Sequence, residues 1–394
     1  MPTYRYQFGG AIAGGRLMIG STLMNGQWIG RYSGTNSGQL VVDLDDRGTH
    51  YEGIACAYDD DQLLPGTFVQ VKTADKQPTF QDRLPLFPID PRTGQPDDWA
   101  NLQALFPQGV NMPKYASVSL NFQDDVLKVE WKTDIDTAGS AEIRRTKANA
   151  PTEYQPLPDV RSWEDFKAFV AGLEHRRFIF RGQQQPLRLR TGFHRSGRAD
   201  LGRFLNEDIK ALHRHLSQRT SHVFNLSIPD ENGAFFNLVQ HHGYPTPLLD
   251  WTFSPFVAAF FAYHRIRNSD ARSSQDEKIR VFIFDQKAWR EKYVQMIHLT
   301  WRRPHFSIME FIAMNNERLI PQQSISTITN VDDIESYIRS MSTEEIQFLR
   351  IVDLPKIERP NVMKELSVMG ITAGSLFPGF DGACEELRER FFDL

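Results

Sequence analysis

Up to about residue 150 the chain alternates apolar and polar residues with a period near two, and beyond about residue 160 helical spacings appear between short apolar runs. Gln27-Trp28-Ile29-Gly30-Arg31-Tyr32, Gln39-Leu40-Val41-Val42-Asp43, Tyr51-Glu52-Gly53-Ile54-Ala55 and Thr67-Phe68-Val69-Gln70-Val71 read as strands, as do Ala116-Ser117-Val118-Ser119-Leu120 and Val126-Leu127-Lys128-Val129-Glu130-Trp131. Ser33 to Gly38, Asp45 to Gly48 and Asp59 to Asp61 are turn material between them. The pattern predicts a small all-β domain, sandwich or barrel, over residues 1–148. The proline-rich stretch Leu84 to Pro107 reads as a long irregular loop.

Thr146 to Pro158 is small, polar and proline-containing, so 149–160 is expected to be a linker ahead of a second domain at 161–394. Ser162-Trp163-Glu164-Asp165 has the serine and early acids of a helix start. Arg177 to Phe180, Arg280 to Phe284, Ile325 to Ile328 and Gln347 to Val352 read as strands; 200–217, 231–241, 254–266, 331–340, 360–369 and 382–392 read as helices. The expected fold class is therefore α+β, with a β-rich first domain and a mixed α/β second one.

Composition then narrows the function classes. The 394 residues suit two domains, and 40% hydrophobic with 24% charged residues is ordinary globular usage. The longest apolar run, Pro255 to Tyr263, falls well short of the ~20 residues a bilayer span requires. Met1 to Phe8 lacks the apolar core of a signal peptide, and Cys56 and Cys384 form no metal or redox motif, so a cytoplasmic protein with no membrane partner is expected. A net charge of -4 advertises no nucleic acid, although Arg176 to Arg219 holds ten arginines and one lysine against three acids. That stretch keeps nucleic acid open as a partner.

Four segments look over-specified for packing. Arg181 ends the apolar strand of Phe180-Arg181-Gly182-Gln183, where a guanidinium suits bidentate phosphate or carboxylate binding, though a turn arginine in an ion pair would look the same. Gln240-His241-His242-Gly243-Tyr244-Pro245-Thr246-Pro247-Leu248-Leu249-Asp250-Trp251 runs from a helix end through a loop and strand to an acid. His241 and Asp250 are its candidates for chemistry, and no metal-ligand spacing completes the two histidines. Thr252-Phe253-Ser254-Pro255 opens an apolar helix, where Ser254 serves equally as a cap or as a phosphate-facing hydroxyl. Asn315 to Ser324 gathers amides, Glu317 and Arg318 before a strand, or is simply a solvated loop.

At these segments the chain resembles the FRG domain family, over roughly residues 160–394. The resemblance rests on Phe180-Arg181-Gly182, Gln240-His241, Gly243, Pro245-Thr246, Leu248-Leu249-Asp250-Trp251-Thr252, Ser254-Pro255, Met369-Gly370-Ile371 and Leu376-Phe377-Pro378-Gly379-Phe380-Asp381-Gly382. Pro247 stands where the family usually has an arginine. The motif order is also similar to that of ADP-ribosyltransferases, which implies an ADP-ribosyltransferase-like fold and NAD+ as substrate, with no metal. On that resemblance Arg181, Gly182, Gln183, Thr252, Ser254 and Arg318 would bind NAD+, and Arg181, His241, Asp250 and Gln323 would carry the chemistry. The third motif normally ends in a glutamate, and this loop offers Gln323, with Glu317 and Glu310 upstream. The implied function is an effector, toxin or anti-phage, modifying a protein or nucleic acid, with the first domain binding a trigger. Non-catalytic nucleotide or nucleic-acid binding, and NAD+ hydrolysis, stand as alternatives.

Overall fold

The computed structural model describes residues 23–392 apart from 221, 274, 275, 297, 300, 313 and 315. The expectation about Met1 to Phe8 lies outside the described residues.

Nine antiparallel strands form the first sheet: β1 (Gly26–Gly34), β2 (Gly38–Asp46), β3 (Tyr51–Asp59), β4 (Gly66–Lys72), β5 (Thr79–Pro85), β6 (Phe87–Ile89), β7 (Tyr115–Gln123), β8 (Val126–Thr133) and β9 (Ala138–Arg144). Their order, β5-β7-β8-β9-β1-β2-β3-β4-β6, curls into a nearly closed barrel. Closure comes from one run of chain that changes partner, because β5 pairs with β7 while β6, one residue later, pairs with β4. Part of the expected loop after Leu84 is thus strand. Pro85 and Pro88 hide it from a pattern reading, since proline cannot donate to a ladder and belongs at such transitions.

The alternation sorts side chains as expected. Trp28, Leu44, Tyr51 and Leu127 fill one end of the interior, each 1% exposed or less. Ile54, Cys56, Tyr58 and Phe68 point outward and form their own cluster with Ile89.

The second sheet has β10 (Phe178–Gln183), β11 (Leu248–Thr252), β12 (Lys278–Asp285), β13 (Phe306–Met309), β14 (Ser324–Thr329) and β15 (Leu349–Pro355), ordered β13-β14-β11-β10-β12-β15 and antiparallel throughout. Helices α1 (Trp163–Ala171), α2 (Pro229–His241), α3 (Pro255–Tyr263), α4 (Ile334–Met341) and α5 (Arg359–Val368) cover it. Phe178, Phe180, Val281 and Ile283 meet α3 in one core, and Ile179, Phe282, Phe284 and Ile351 meet Ile334 and Ile338 of α4 in another. The fold class is α+β. Ser162 caps α1 in a reciprocal box, its hydroxyl accepting from Asp165 N at 3.2 Å while Asp165 Oδ2 accepts from Ser162 N at 3.0 Å. The region read as one helix at 200–217 is Leu201–Arg203, a wide π-type stretch at Phe204–Ile209, and Lys210–Leu216. Among the described residues no helix is long and apolar enough to cross a membrane.

The segment read as a linker is an ordered strap. Leu157 N donates to Ile351 O at 3.0 Å, Lys147 O accepts from Arg188 Nη1 at 3.0 Å, and Thr152 bonds Glu335. Composition does not reveal this because the strap is held by long-range hydrogen bonds to Arg188, Asp333 and Glu335 and by scattered apolar contacts of Tyr154, Leu157 and Val160 rather than by apolar periodicity. The barrel is clamped more directly still. Buried Asp45 accepts from Ala199 N at 2.7 Å and Arg198 Nε at 3.0 Å and also pairs with Arg203, while Gln27 donates to Asn330 O at 2.6 Å and accepts from Asp332 N at 2.8 Å.

Candidate functional site

The inner strands β10 and β11 share a single ladder pair, Phe180 with Thr252, and then diverge. A sheet that parts this way exposes main-chain groups which must find other partners. Arg181 supplies one: its Nη1 donates to the main-chain oxygen of Asp250 at 2.6 Å. Arg181 takes this main-chain oxygen and not the Asp250 carboxylate. Strand alternation explains why. Asp250 lies between Leu249 and Trp251, which face the Ile179 core, so its carboxylate leaves from the opposite face, whereas Arg181 leaves from the Ile179 side.

The consequence is a set of unsatisfied groups. Arg181 Nε and Asp250 Oδ1 are buried atoms with no hydrogen-bond partner among the described residues. Burial pulls the Arg181 guanidinium down from its usual range to about 10, the Asp250 charge opposing and the Arg195 charge adding to the fall. Leaving such groups bare costs roughly 1–3 kcal/mol each, more when charged, so they mark a place where a polar ligand would be stabilised.

His241 sits at the C-terminal end of α2, and burial lowers its pKa, with the Asp250 charge working against that shift. Its Nδ1 lies 2.6 Å from Asn316 Nδ2, which also donates to Asn237 Oδ1 at 2.5 Å. Asn316 Oδ1 accepts from Arg318 N at 3.3 Å, which fixes the amide's orientation. With the Asn316 amide in this orientation, its Nδ2 faces His241 Nδ1, and the neutral ring's proton then sits on Nε2. Asn237 Nδ2 is a third buried atom without a partner. The signal for Asn237 was in the sequence, since it precedes His241 by one helical turn and so shares its face. Asn316 lay within a segment already singled out but was not chosen.

The remaining candidates divide. Gly182 is required by packing: a Cβ there would lie 1.9 Å from Ala258 O, so α3 rests directly on the strand. Gln183 closes β10 opposite Arg280. The Thr252 hydroxyl is spent on the scaffold, donating to Gln322 O at 2.7 Å and accepting from Ser254 N at 3.0 Å. Ser254 caps α3 through Val257 N at 3.2 Å. Gln323 has its side chain exposed and its backbone at φ 47°, and its carbonyl accepts from Phe253 N at 3.1 Å. It is the buried neighbour, Gln322, that ties this loop down, donating to Leu376 O at 3.0 Å. Arg318 stacks over Phe377, its guanidinium 5.5 Å from the ring, and lies close enough to His241 to disfavour a positive imidazole. Glu310 pairs with Arg290 at 2.8 Å, and Glu317 is exposed.

The arginine-rich stretch is largely turned inward. Arg177 pairs with Asp285 at 2.8 Å, Arg188 with Asp333 at 2.9 Å and Arg190 with Asp332 at 2.7 Å, while Arg198 and Arg203 share Asp45. Among the described residues no cluster of three or more His, Cys, Asp or Glu side chains could hold a metal.

Residues 176–271 match the model of the FRG domain, which spans β10, α2, β11 and α3 and contains Arg181, Asn237, His241 and Asp250. No curated protein matches the chain. A solved de novo designed fluorescence-activating β-barrel is similar at 15% identity, covering 32% of this chain and 94% of its own, with a TM-score of 0.21.

Proposed function

We propose that the C-terminal region binds NAD+ or a closely related nucleotide where β10 and β11 diverge, and breaks the bond between nicotinamide and ribose, as an ADP-ribosyltransferase-like effector. The observation that carries this reading is that Arg181 Nε and Asp250 Oδ1, on the two diverging strands, are buried without partners among the described residues, while the Asp250 charge acts on both Arg181 and His241. A cation on one face of the divergence, with an anion and a histidine on the other, suits an elongated ligand that bears both phosphates and hydroxyls and passes between the parted strands. Arg181 holds a phosphate oxygen, with Arg195 reinforcing the positive field. His241, a neutral Nε2–H donor braced by Asn316, orients a ribose hydroxyl. Asp250 takes the proton released when water or an acceptor hydroxyl bonds to ribose C1′, while the electron pair of the broken bond leaves with nicotinamide. Thr252 and Ser254 hold the loop rather than the ligand, and Gly182 lets α3 approach. Gln323, whose side chain is exposed, contacts the acceptor in this reading.

Released nicotinamide is the direct readout, measured with pure full-length protein, with and without cell lysate as a source of acceptors. Arg181→Lys keeps a positive charge but loses the planar fork, so turnover falls by at least tenfold while the melting temperature changes by only a few degrees. Saturable NAD+ binding with no nicotinamide under either condition would instead establish a binding module.

A further inference from the structure

The barrel is filled at one end and hollow at the other. Beyond the plug of Trp28, Tyr51 and Leu127, an apolar cavity of about 190 Å³ opens toward the β1–β2 and β8–β9 turns. Ala55, Ala57, Val69, Val118 and Trp131 line it. These side chains pack on the barrel core yet stay only partly buried, although all belong to the inward-facing set. Inward apolar side chains left uncovered are the opposite of what a barrel needs for stability alone, since interiors close to near-crystalline density. Two alanines on adjacent inward positions of β3 create the room.

We propose that this cup is a binding site for a small apolar molecule, one or two rings in size, neutral or cationic, whose polar end sits at the mouth. Size follows from the volume, which is somewhat larger than the ~150 Å³ cavity that takes up benzene. Polarity follows from where the polar groups are. Thr35, Asn36, Asp59, Thr133 and Thr137 line the cavity along with the apolar wall, and they come from the strand ends and turns at its mouth. Their capacity is largely used: Thr133 and Thr137 hydroxyls bond each other at 2.7 Å, and Asp59 accepts from Tyr32 Oη at 3.1 Å and from Asp61 N at 3.0 Å. A peptide segment inserted there would bury amides beside an apolar wall with few acceptors, at a cost of several kcal/mol. An anionic head group would meet the Asp59 carboxylate. The aromatic wall, Tyr32 edge-on to Trp131 at 5.3 Å between ring centres, favours a ring over a flexible acyl chain.

The site is separate from the strand divergence. Every residue lining the cup belongs to the barrel, while Gln27 and Asp45, which meet the C-terminal region, lie at the plugged end and on the outer wall.

The test titrates the full-length protein with the neutral dye N-phenyl-1-naphthylamine and with anionic 8-anilinonaphthalene-1-sulfonate, reading dye emission and Trp131 quenching. The expected result is saturable one-to-one binding of the neutral dye, at least tenfold tighter than the anion. Ala57→Phe fills the cup and weakens the neutral dye by at least tenfold, with the melting temperature unchanged or raised. Val69→Phe is the second filling variant should Ala57→Phe fail to fold. No saturable binding, equal affinity for the anion, or undiminished binding by a folded filled variant would each overturn the proposal. So would binding seen only after removal of residues 1–22, because the chain's own N-terminal segment would then be the occupant.

Discussion

Both regions are built on antiparallel sheets, yet they handle their weak points in opposite ways. The barrel meets the problem of sheet edges by closure, with a single run of chain pairing first with β7 and then with β4. What it leaves unsatisfied is apolar: a hollow lined by side chains that stay only partly buried among the described residues. The second sheet opens at its centre, where β10 and β11 share one pair, and leaves polar atoms bare. Closure creates a cup suited to apolar ligands, and divergence creates a slot suited to a charged one.

The most damaging way to break this comparison is to separate the two regions. Asp45→Ala removes the carboxylate that receives Arg198, Arg203 and two backbone amides, all at a site 1% exposed. Removing one partner of a buried ion pair costs about 3–5 kcal/mol, and the low end applies here because Arg198 keeps Asp208 and Arg203 keeps Glu207. A single unfolding transition is expected to split in two, with the barrel melting apart from the C-terminal region. One unsplit transition at the original temperature would mean that the strap and the other interface contacts hold the halves without Asp45.

Next comes the packing that shapes the divergence. Gly182→Ala sets a methyl 1.9 Å from Ala258 O, a backbone atom, so α3 must move as a unit. The expected loss is about 2–3 kcal/mol, with nucleotide binding lost alongside, because Arg181 precedes this position. Unchanged stability by denaturant titration would show that α3 is not seated as described.

Acid should separate the regions by a smaller margin. His194, His264 and His305, all in the C-terminal region, are held by burial at about 4, 3 and 4. A histidine whose folded pKa lies below its unfolded value of ~6.5 gives its full stability above 6.5 and loses it as pH falls toward the folded value. Lowering pH from 6.5 to 5 costs up to about 2 kcal/mol for each. Asp43, at the interface, runs the other way: burial raises it to about 8, so it stabilises at low pH and loses that contribution as pH rises from about 4 to 8. It offsets roughly one histidine over the same interval. The net expectation is a fall in Tm on the order of 10 °C between pH 6.5 and 5, confined to the C-terminal transition in a split variant. A Tm that holds steady over this interval would mean these rings are hydrated in solution.

Much of this was legible in the sequence where a periodicity ran uninterrupted. Trp28, Leu40 and Val129 lie in strands that the alternation marks, and the α3 run from Pro255 is plainly core. Elements that break the pattern were hidden: β6 carries Pro88, β13 is four residues long, and the Phe204–Ile209 stretch departs from the 3.6 period. The candidate site was legible as residue types and illegible as roles. The Asp250 charge acts on both Arg181 and His241, but which face Asp250 leaves from depends on the register Phe180 to Thr252, a long-range pairing that no local pattern encodes. The same holds for the arginines of 176–219, whose partners Asp45, Asp332 and Asp333 are distant in sequence.

The smallest effect on stability, and the sharpest on the proposed chemistry, is expected from Asp250→Asn. If Asp250 were the ion-pair partner of Arg181, neutralising it would leave a buried cation uncompensated and cost several kcal/mol. Arg181 instead takes the Asp250 main-chain oxygen, which the substitution leaves in place, and the carboxylate Oδ1 has no partner to lose. The nearby charge does favour the charged guanidinium, so a small loss remains, set against relief from burying a bare carboxylate atom. These oppose each other, and the change in unfolding free energy should stay within about 0.5 kcal/mol. Nicotinamide release should fall at least a hundredfold, because an amide cannot accept the proton from water or acceptor, while NAD+ affinity changes less than threefold. A large loss of stability would restore the ion pair. Near-normal turnover would move the proton acceptor elsewhere, to exposed Glu317 or to the incoming acceptor itself.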